Sequence, residues 1–507
     1  MNVHLLHPDR DFDRHQALPA HAADLIADLG LDVVIATMAG EDALVDEIAR
    51  RALVPAAPVD LETIRFRQAI LQDARAHPDL LRTWYRLAGD ALEAKRKSFF
   101  GFSHRLPSSI LYGAIELLTS LIRLLEDVRG LAEAHDGRVT SLGLSSLCRT
   151  LVTELNPDYV ARMRRHLDDL KFRRGVLISA RLGTGNESIV ESLHEPPHDG
   201  PRWLARVFGN GGGLTVRVAD RDEAGARILD DLRNRGINVA ANAIAQATDH
   251  VVSFFEHLRA ELAFYVGALN LADALAAMGA PTCVPVVEPP GAHRLSCRQL
   301  YDVALALTRK QRPVTNDLDA DGTRLIVVTG ANQGGKSTFL RSVGLAHAMA
   351  SAGLFAGADS VHADHHSGYF THYRHEEDTG LRHGKFDEEL ARVSTIADAI
   401  APHALALFNE SFASTDAREG SEIGTQIVRA FLDADVTVVF VTHLYPFARG
   451  WFDAHRSDVR FLQPERLADG TRTFRLHEAP PEETSYGEDV YAEVFGSTGL
   501  GTHERVR

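Results

Sequence analysis

The stretch LIVVTGANQGGKSTFL, residues 325–340, decides how this chain is read. Gly330-Ala331-Asn332-Gln333-Gly334-Gly335-Lys336-Ser337 matches the spacing G-x-x-x-x-G-K-[ST]. The β-branched run Ile326-Val327-Val328 precedes it, and a helical stretch from Thr338 to Ala350 follows it. Each residue type has a chemical reason. Glycines let backbone N–H groups curl around phosphate oxygens with no Cβ in the way. The start of the following helix adds a positive dipole. Lys336 supplies a point charge for the β- and γ-phosphates of a nucleotide, and Ser337 offers a hydroxyl to Mg²⁺. Gly330 through Thr338 is therefore the expected ATP site, with Mg²⁺ as the companion ion.

Two further apolar runs, Ala404–Phe408 and Val436–Thr442, suit strands covered on both faces, as in a mostly parallel sheet. A strand beside a phosphate loop is expected to end in acids near the γ-phosphate. The first run ends in Asn409-Glu410. Glu410 is the candidate to orient and activate the attacking water. Asn409 stands where a Mg²⁺-organising aspartate is expected; its amide can hold a metal-bound water but brings no charge, which points to slow turnover. The second run ends in Thr442-His443, where an imidazole can hydrogen-bond the γ-phosphate or the attacking water. Glu410 and His443 are thus the catalytic candidates, and Ser337 and Asn409 the Mg²⁺ candidates. Val459–Gln463, the Asp469-Gly470 turn and Thr473–Leu476 read as a late hairpin.

Upstream, the pattern changes. Residues 1–55 form a small opening segment, with a helix over His21–Leu29 and a buried strand over Leu31–Ala36. Residues 56–280 are mainly helical. Asp60 can cap a helix that Pro78 breaks, and Pro107 opens another with an apolar stripe from Leu111 to Val128, ending at Gly130. Thr248 is the expected cap of a long helix from Asp249 to Met278. A β insertion interrupts the helices at about 175–220: Val176–Ala180 reads as one strand, and Leu214, Val216 and Val218 as another, after the flexible glycine run Gly209–Gly213. Residues 285–507 are the strand-and-helix domain that carries the ATP site.

Composition sets limits. The formal net charge of −15 over 507 residues repels DNA on average, so any DNA contact must be local or made by a clamp around the duplex. Cys148, Cys283 and Cys297 are far apart, which fits a reducing compartment without disulfides or a zinc ribbon. The polar start lacks the apolar core of a signal peptide, and no membrane span is expected, so the cytoplasm is the expected location.

The runs TGANQGGKSTFLRSVGLAHAMASAG, LALFNESFASTDAREG and VTHLYPFA resemble the ATPase domain of the MutS mismatch-repair family. Val314–Leu318 and Thr484-Ser485-Tyr486-Gly487 extend the likeness over roughly 285–495. DLETIRFRQAILQ and FFEHLRAELAFYVGALNLADAL are similar to the family's core and lever helices. The resemblance implies an α/β P-loop NTPase of ABC type, preceded by a mainly α-helical core/lever domain with a small β insertion. It implies a homodimer in which each ATP lies between the phosphate loop of one subunit and a signature segment of the other. That segment matches Gly384-Lys385-Phe386-Asp387-Glu388-Glu389-Leu390. Phe386 and Glu389 fit, whereas Gly384 and Lys385 replace the usual Ser-Thr pair. Double-stranded or branched DNA and other repair proteins are the implied partners. With lever-like helices from about residue 60, no room is expected for the family's mismatch-reading domain and its Phe-x-Glu motif. Phe254-x-Glu256 has the letters, but on a long helix it reads as packing.

Two weaker signals stand apart. His362, His365, His366, His372 and His375 read as a solvated loop near the nucleotide, with a metal site as the sharper option. Lys95-Arg96-Lys97 reads as a solvated helix face. Two functions fit: an ATP-driven DNA-binding dimer in mismatch repair or on branched or damaged DNA, or a slowly hydrolysing nucleotide-gated switch acting through protein partners. A small-molecule kinase explains neither the Glu410 nor the His443 strand end.

Overall fold

The computed structural model describes residues 2–99, 106–173, 175–184, 188–194, 218, 222–374, 385–467 and 471–483. The chain divides into two compact units. One comprises residues 1–3, 79–140 and 144–259, the other residues 4–78, 141–143 and 260–507.

Helices come first in the chain: α1 (Ala22–Leu29), α2 (Leu31–Ala39), α3 (Ala43–Leu53), α4 (Leu61–Ala76), α5 (Pro78–Phe99), α6 (Pro107–His135), α7 (Leu142–Glu154) and α8 (Pro157–Asp169). The hairpin β1 (Leu177–Leu182) and β2 (Ser188–His194) leads to the 54-residue α9 (Glu223–Ala276). After it come β3 (Val286–Glu288), β4 (Leu295–Leu300), α10 (Val303–Arg309), β5 (Asn316–Asp319), β6 (Leu325–Val328) and α11 (Lys336–Ser351). Then follow β7 (Ser360–Asp364), β8 (Tyr369–Tyr373), α12 (Lys385–Ala399), β9 (Leu405–Asn409), α13 (Ala417–Asp433), β10 (Thr437–Val441), α14 (Tyr445–Asp453), β11 (Val459–Arg466) and β12 (Arg472–Glu478).

Three expectations are corrected here. Leu31–Ala36 is helix, within α2, not strand. Gly30 at φ +64° ends α1 and opens α2, and Leu31, Val34, Ile35, Met38 and Ala39 are all buried. Their spacing is that of one helix face, with Asp32 and Ala36 exposed, but the six-residue run Leu31–Ala36 is too short and too apolar for periodicity to separate it from a buried strand. The long helix begins at Glu223, not after Thr248. Thr248 lies inside it, with Oγ1 donating to the Ile244 carbonyl four residues back (2.8 Å), so a residue type that favours caps bonds within the turn instead. The helix expected to stop at Gly130 runs to His135.

In the first unit, Leu111, Ile115, Leu118 and Ile122 of α6 are buried with Val160 and Leu167 of α8 and Ile237 and Ala241 of α9. Among the described residues α6 is the one helix long and apolar enough to cross a membrane by length and composition, and its apolar stripe packs into this core. The strand from 177 finds its partner in Ser188–His194, antiparallel, with Ile178 opposite Leu193. Of the second strand expected there, Leu214 and Val216 lie outside the described residues, as does the Gly209–Gly213 run.

The other unit holds a six-stranded sheet in the order β12-β11-β6-β10-β9-β8 and a four-stranded sheet in the order β3-β7-β4-β5. In the larger sheet β11, β6, β10, β9 and β8 run parallel, and only β12 is antiparallel to its neighbour. All four residues of β6 are buried, as a strand covered on both faces requires. Phe408, Phe412, Phe440 and Phe447 stack beside the sheet, with Phe440 and Phe447 centroids 4.5 Å apart. Each such fully buried ring stabilises the sheet by roughly 2–3 kcal/mol. The late hairpin forms as β11–β12; its expected turn, Asp469-Gly470, lies outside the described residues.

Candidate functional site

The parallel register decides where the site lies. Val441 of β10 sits level with Val328 of β6 on one side and Asn409 of β9 on the other. Three strands distant in sequence therefore end flush, and the loops that leave them meet at one edge of the sheet. Open parallel sheets bind ligands at the carboxyl ends of their strands for this reason.

The loop after β6 needs its glycines. Gly330 and Gly335 adopt φ +105° and +93°, a region that L side chains avoid. A Cβ on Gly334 would lie 2.7 Å from Pro464 and 3.0 Å from the Ala331 carbonyl. Gly335 is also the N-cap of α11 and brings no side-chain cap. The first-turn N–H groups of α11 are left for a ligand to satisfy.

Lys336 is buried at the start of α11, and its Nζ donates to the Gly330 and Ala331 carbonyls, both at 2.8 Å. Burial pulls its pKa down to about 8, against the attraction of Glu410; the nearby Arg472 lowers it further. An ammonium held this far from its ordinary range is suited to a polyanion, which restores the charge balance. The exposed Ser337 hydroxyl donates to Asn409 Oδ1 at 2.9 Å. Glu410 turns away from the strand with φ +55°, its N–H donating to the Val441 carbonyl at 2.9 Å. His443 Nε2 donates to Glu410 Oε1 at 3.0 Å. That hydrogen bond holds the Glu410 carboxyl below the usual carboxylate range; burial opposes it, and the charges of His443, Lys336 and Arg374 assist.

Lys336, Ser337 and Glu410 line a cleft of about 500 Å³, and Asn409 and His443 reach it only through their hydrogen bonds to Ser337 and Glu410. Of the residues expected at the site, Asn332 to Thr338 and Glu410 line it, whereas Gly330, Ala331, Asn409 and His443 do not. Leu305, Pro313, Val314, Asn316 and Phe474 line it too, and none of these had been assigned a role there. Asn316 Oδ1 accepts the Leu476 N–H at 2.7 Å and so ties β12, which carries Phe474, to the rim. Arg472, also on β12, donates to Gln333 Oε1 of the glycine loop at 2.9 Å. The Pro313–Asn316 run gave a local signal; a strand about 140–160 residues away gave none.

Of the candidate signature segment, Gly384 lies outside the described residues and Lys385 is the first residue of α12. Phe386 packs on the buried Phe core, and Glu389 is buried with its carboxylate accepting from Phe412 N (2.8 Å) and Ser414 Oγ (2.7 Å). Neither lines the cleft of its own subunit.

The histidine segment is not a solvated loop. His362 lies on β7, where Nε2 donates to Glu288 at 3.0 Å. His365, His366 and His372 are buried, and His375 lies outside the described residues. His366 Nδ1 donates to the His403 carbonyl, and burial pushes its pKa down to about 4. His347, packed against it with ring centroids 4.9 Å apart, is held well below the ordinary histidine range for the same reason. Among the described residues no three His, Cys, Asp or Glu side chains gather to hold a metal ion. Lys95, Arg96 and Lys97 are an exposed helix face paired with Glu93 and Glu256. Phe254 is buried edge-on against Phe255, as packing.

A parallel sheet whose flush strand ends gather an ammonium-bearing glycine loop, a hydroxyl, an amide and a carboxylate belongs to the class of open α/β sheets with a loop suited to an anion. Comparison with known proteins narrows the class. Residues 59–278 match the MutS2 N-terminal domain, and residues 326–487 match MutS domain V. The chain belongs to the MutS family. It is 27% identical over 408 residues to an Endonuclease MutS2 of Anaeromyxobacter sp. (strain Fw109-5), covering 78% of this chain and 48% of that protein. It is 25% identical over 279 residues to a DNA mismatch repair protein MutS of Chloroflexus aurantiacus, covering 53% of this chain and 28% of that protein. Over 141 residues it is 29% identical to an Endonuclease MutS2 of Thermus thermophilus, covering 27% of this chain and 19% of that protein. The matched stretches thus span less than half of each relative.

Proposed function

We propose that this chain binds ATP with Mg²⁺ at Gly330–Thr338, hydrolyses it slowly, and works as a homodimer on double-stranded or branched DNA. The observation that carries the reading is the convergence of Lys336, the Ser337–Asn409 pair and the Glu410–His443 pair on one cleft. Family members are generally ATPases that use ATP with Mg²⁺ and act as dimers on DNA. The reading takes the ATPase unit from the relatives, and not the nuclease activity that some of them have in their name.

The donor set fits Mg²⁺. Ser337 donates its proton to Asn409, which leaves its oxygen lone pairs free, and both partners are hard oxygen donors of the kind this ion accepts. When bound, Mg²⁺ neutralises charge on phosphate oxygens. The residues do the remainder. The α11 N–H groups and Lys336 hold and orient the phosphates. Glu410, kept ionised by His443, orients a water and takes its proton. His443 fixes the carboxylate and bears part of its charge. The neutral Asn409 leaves the site with one carboxylate fewer than an aspartate would supply, which supports slow turnover and a switch-like role. In the dimer, the signature segment, of which Lys385 and Phe386 open α12, serves the partner's ATP.

ATP turnover measured without DNA and with perfect duplex, mismatched duplex and four-way junction DNA tests the reading. Stimulation by at least one of them is expected. Turnover that no DNA changes would remove the DNA part and leave a nucleotide switch that acts through repair-protein partners.

A further inference from the structure

The loop that carries Glu410 is strained and needs something to hold it. Glu410 (φ +55°) and Phe412 (φ +63°) both adopt left-handed backbone without being glycine. Each such residue costs about 1–2 kcal/mol and persists only where its surroundings over-determine it. The surroundings here come largely from α12. Glu389 uses both carboxylate oxygens on this loop: Oε2 accepts from Phe412 N at 2.8 Å, and Oε1 from Ser414 Oγ at 2.7 Å. The Glu389 carbonyl accepts from His372 Nε2 at 3.2 Å, and His372 Nδ1 lies 2.6 Å from Ser411 Oγ. Phe412 is fully buried, stacked near His372 and Phe440. Its carbonyl would lie only 2.3 Å from a Cβ on Gly420, so α13 closes the other side with no room to spare.

We propose that Glu389 is a positioning residue: by clamping Phe412 and Ser414 it sets the orientation of Glu410, and so couples ATP turnover to the position of α12. This rests on the ATPase reading above. The lever is short. Glu389 grips the chain two residues beyond Glu410, and the Glu410–His443 pair is a single 3.0 Å hydrogen bond. Glu389 also lies one turn into α12, whose first residue, Lys385, belongs to the candidate signature segment. A partner or nucleotide that engages the start of α12 moves the clamp, and the clamp moves the carboxylate.

The experiment compares Glu389→Ala, Glu389→Gln, Ser414→Ala and Glu410→Gln with the wild-type chain, reading ATP kcat and KM alongside amide exchange of residues 410–416. In Glu389→Ala, kcat is expected to fall at least about tenfold, with KM within about twofold, because orientation rather than binding is lost. Exchange in 410–416 speeds up while that of α11 stays constant. Glu389→Gln, whose carbonyl still accepts from Phe412 and whose amide donates to Ser414, retains most of the rate. Should Glu389→Ala fail to fold, Ser414→Ala, which removes one of the two ligands, is expected to lose about two- to threefold in kcat with the same split. Wild-type kcat or unchanged exchange in the Ala variants overturns the inference, as does a Gln variant as impaired as Ala. Wild-type turnover in Glu410→Gln removes Glu410 from the chemistry and overturns the inference with it, whereas a wild-type chain that turns over no ATP overturns the ATPase reading itself.

Discussion

Two regions of the same unit are rich in chemically able side chains and use them in opposite ways. At the carboxyl ends of β6, β9 and β10, Lys336, Ser337, Asn409, Glu410 and His443 gather around an open cleft and bond one another across strand ends. On β7, β8 and the turn between them, His365, His366 and His372 are buried together with His347 of α11. There the rings bond backbone carbonyls and hydroxyls or stack on aromatic neighbours, and burial keeps His347 and His366 neutral. The letters of both regions invite a site. What separates them is access: a titratable group beside a cleft keeps a charge to offer a ligand, and one enclosed by packing gives the charge up.

The largest expected effect breaks the cleft side of that comparison. Lys336→Ala removes the ammonium that faces the loop carbonyls, and equilibrium ATP binding should weaken at least about a hundredfold. A loss under a few-fold would mean that the cleft does not hold the phosphates. The buried side breaks next. His366 titrates near 4 in the fold and near 6.5 when unfolded, so the unfolded chain takes up its proton first as pH falls. The stability that His366 contributes is fully present above about pH 6.5 and fades toward pH 4, a loss of roughly 3 kcal/mol. Thermal melting against pH should show that fall, and His366→Gln should lessen it, with His347 and His7, also depressed by burial, accounting for part of what remains.

Lys336 sharpens the contrast from the opposite sign. Its pKa of about 8 in the free site is raised by a bound polyphosphate, so ATP affinity is fully present below pH 8 and lost as pH rises past it. Titration calorimetry should find affinity falling about tenfold per pH unit above 8. The smallest expected change is a gain. Asn409→Asp restores a carboxylate next to Ser337 and should raise kcat by about three- to tenfold at saturating Mg²⁺.

The cleft side was legible because its signal is local. A glycine loop between a β-branched strand and a helix, and strand ends written Asn409-Glu410 and Thr442-His443, are visible in a few residues each. Their convergence followed from the expectation of a parallel sheet. The rim was not legible. Phe474 and Arg472 reach the loop from β12, and Asn316 ties that strand in place, across sequence separations that carry no pattern. Leu31–Ala36 failed for another reason: six mostly apolar residues are too short a run for the helical period to stand out, although Leu31, Val34, Ile35, Met38 and Ala39 do share one buried face. The histidine segment failed because spacing alone cannot report burial. The role of Glu389 was hidden in the same way, since its carboxylate turns to Phe412 and Ser414 rather than to the cleft.

ATP binding and single-turnover hydrolysis, followed on the same preparation of Glu410→Gln, bear most directly on the cleft as a hydrolytic site. ATP retained at wild-type affinity, with hydrolysis slowed about a hundredfold or more, is the expected result. Hydrolysis at the wild-type rate would contradict it and move the chemistry away from Glu410 and His443.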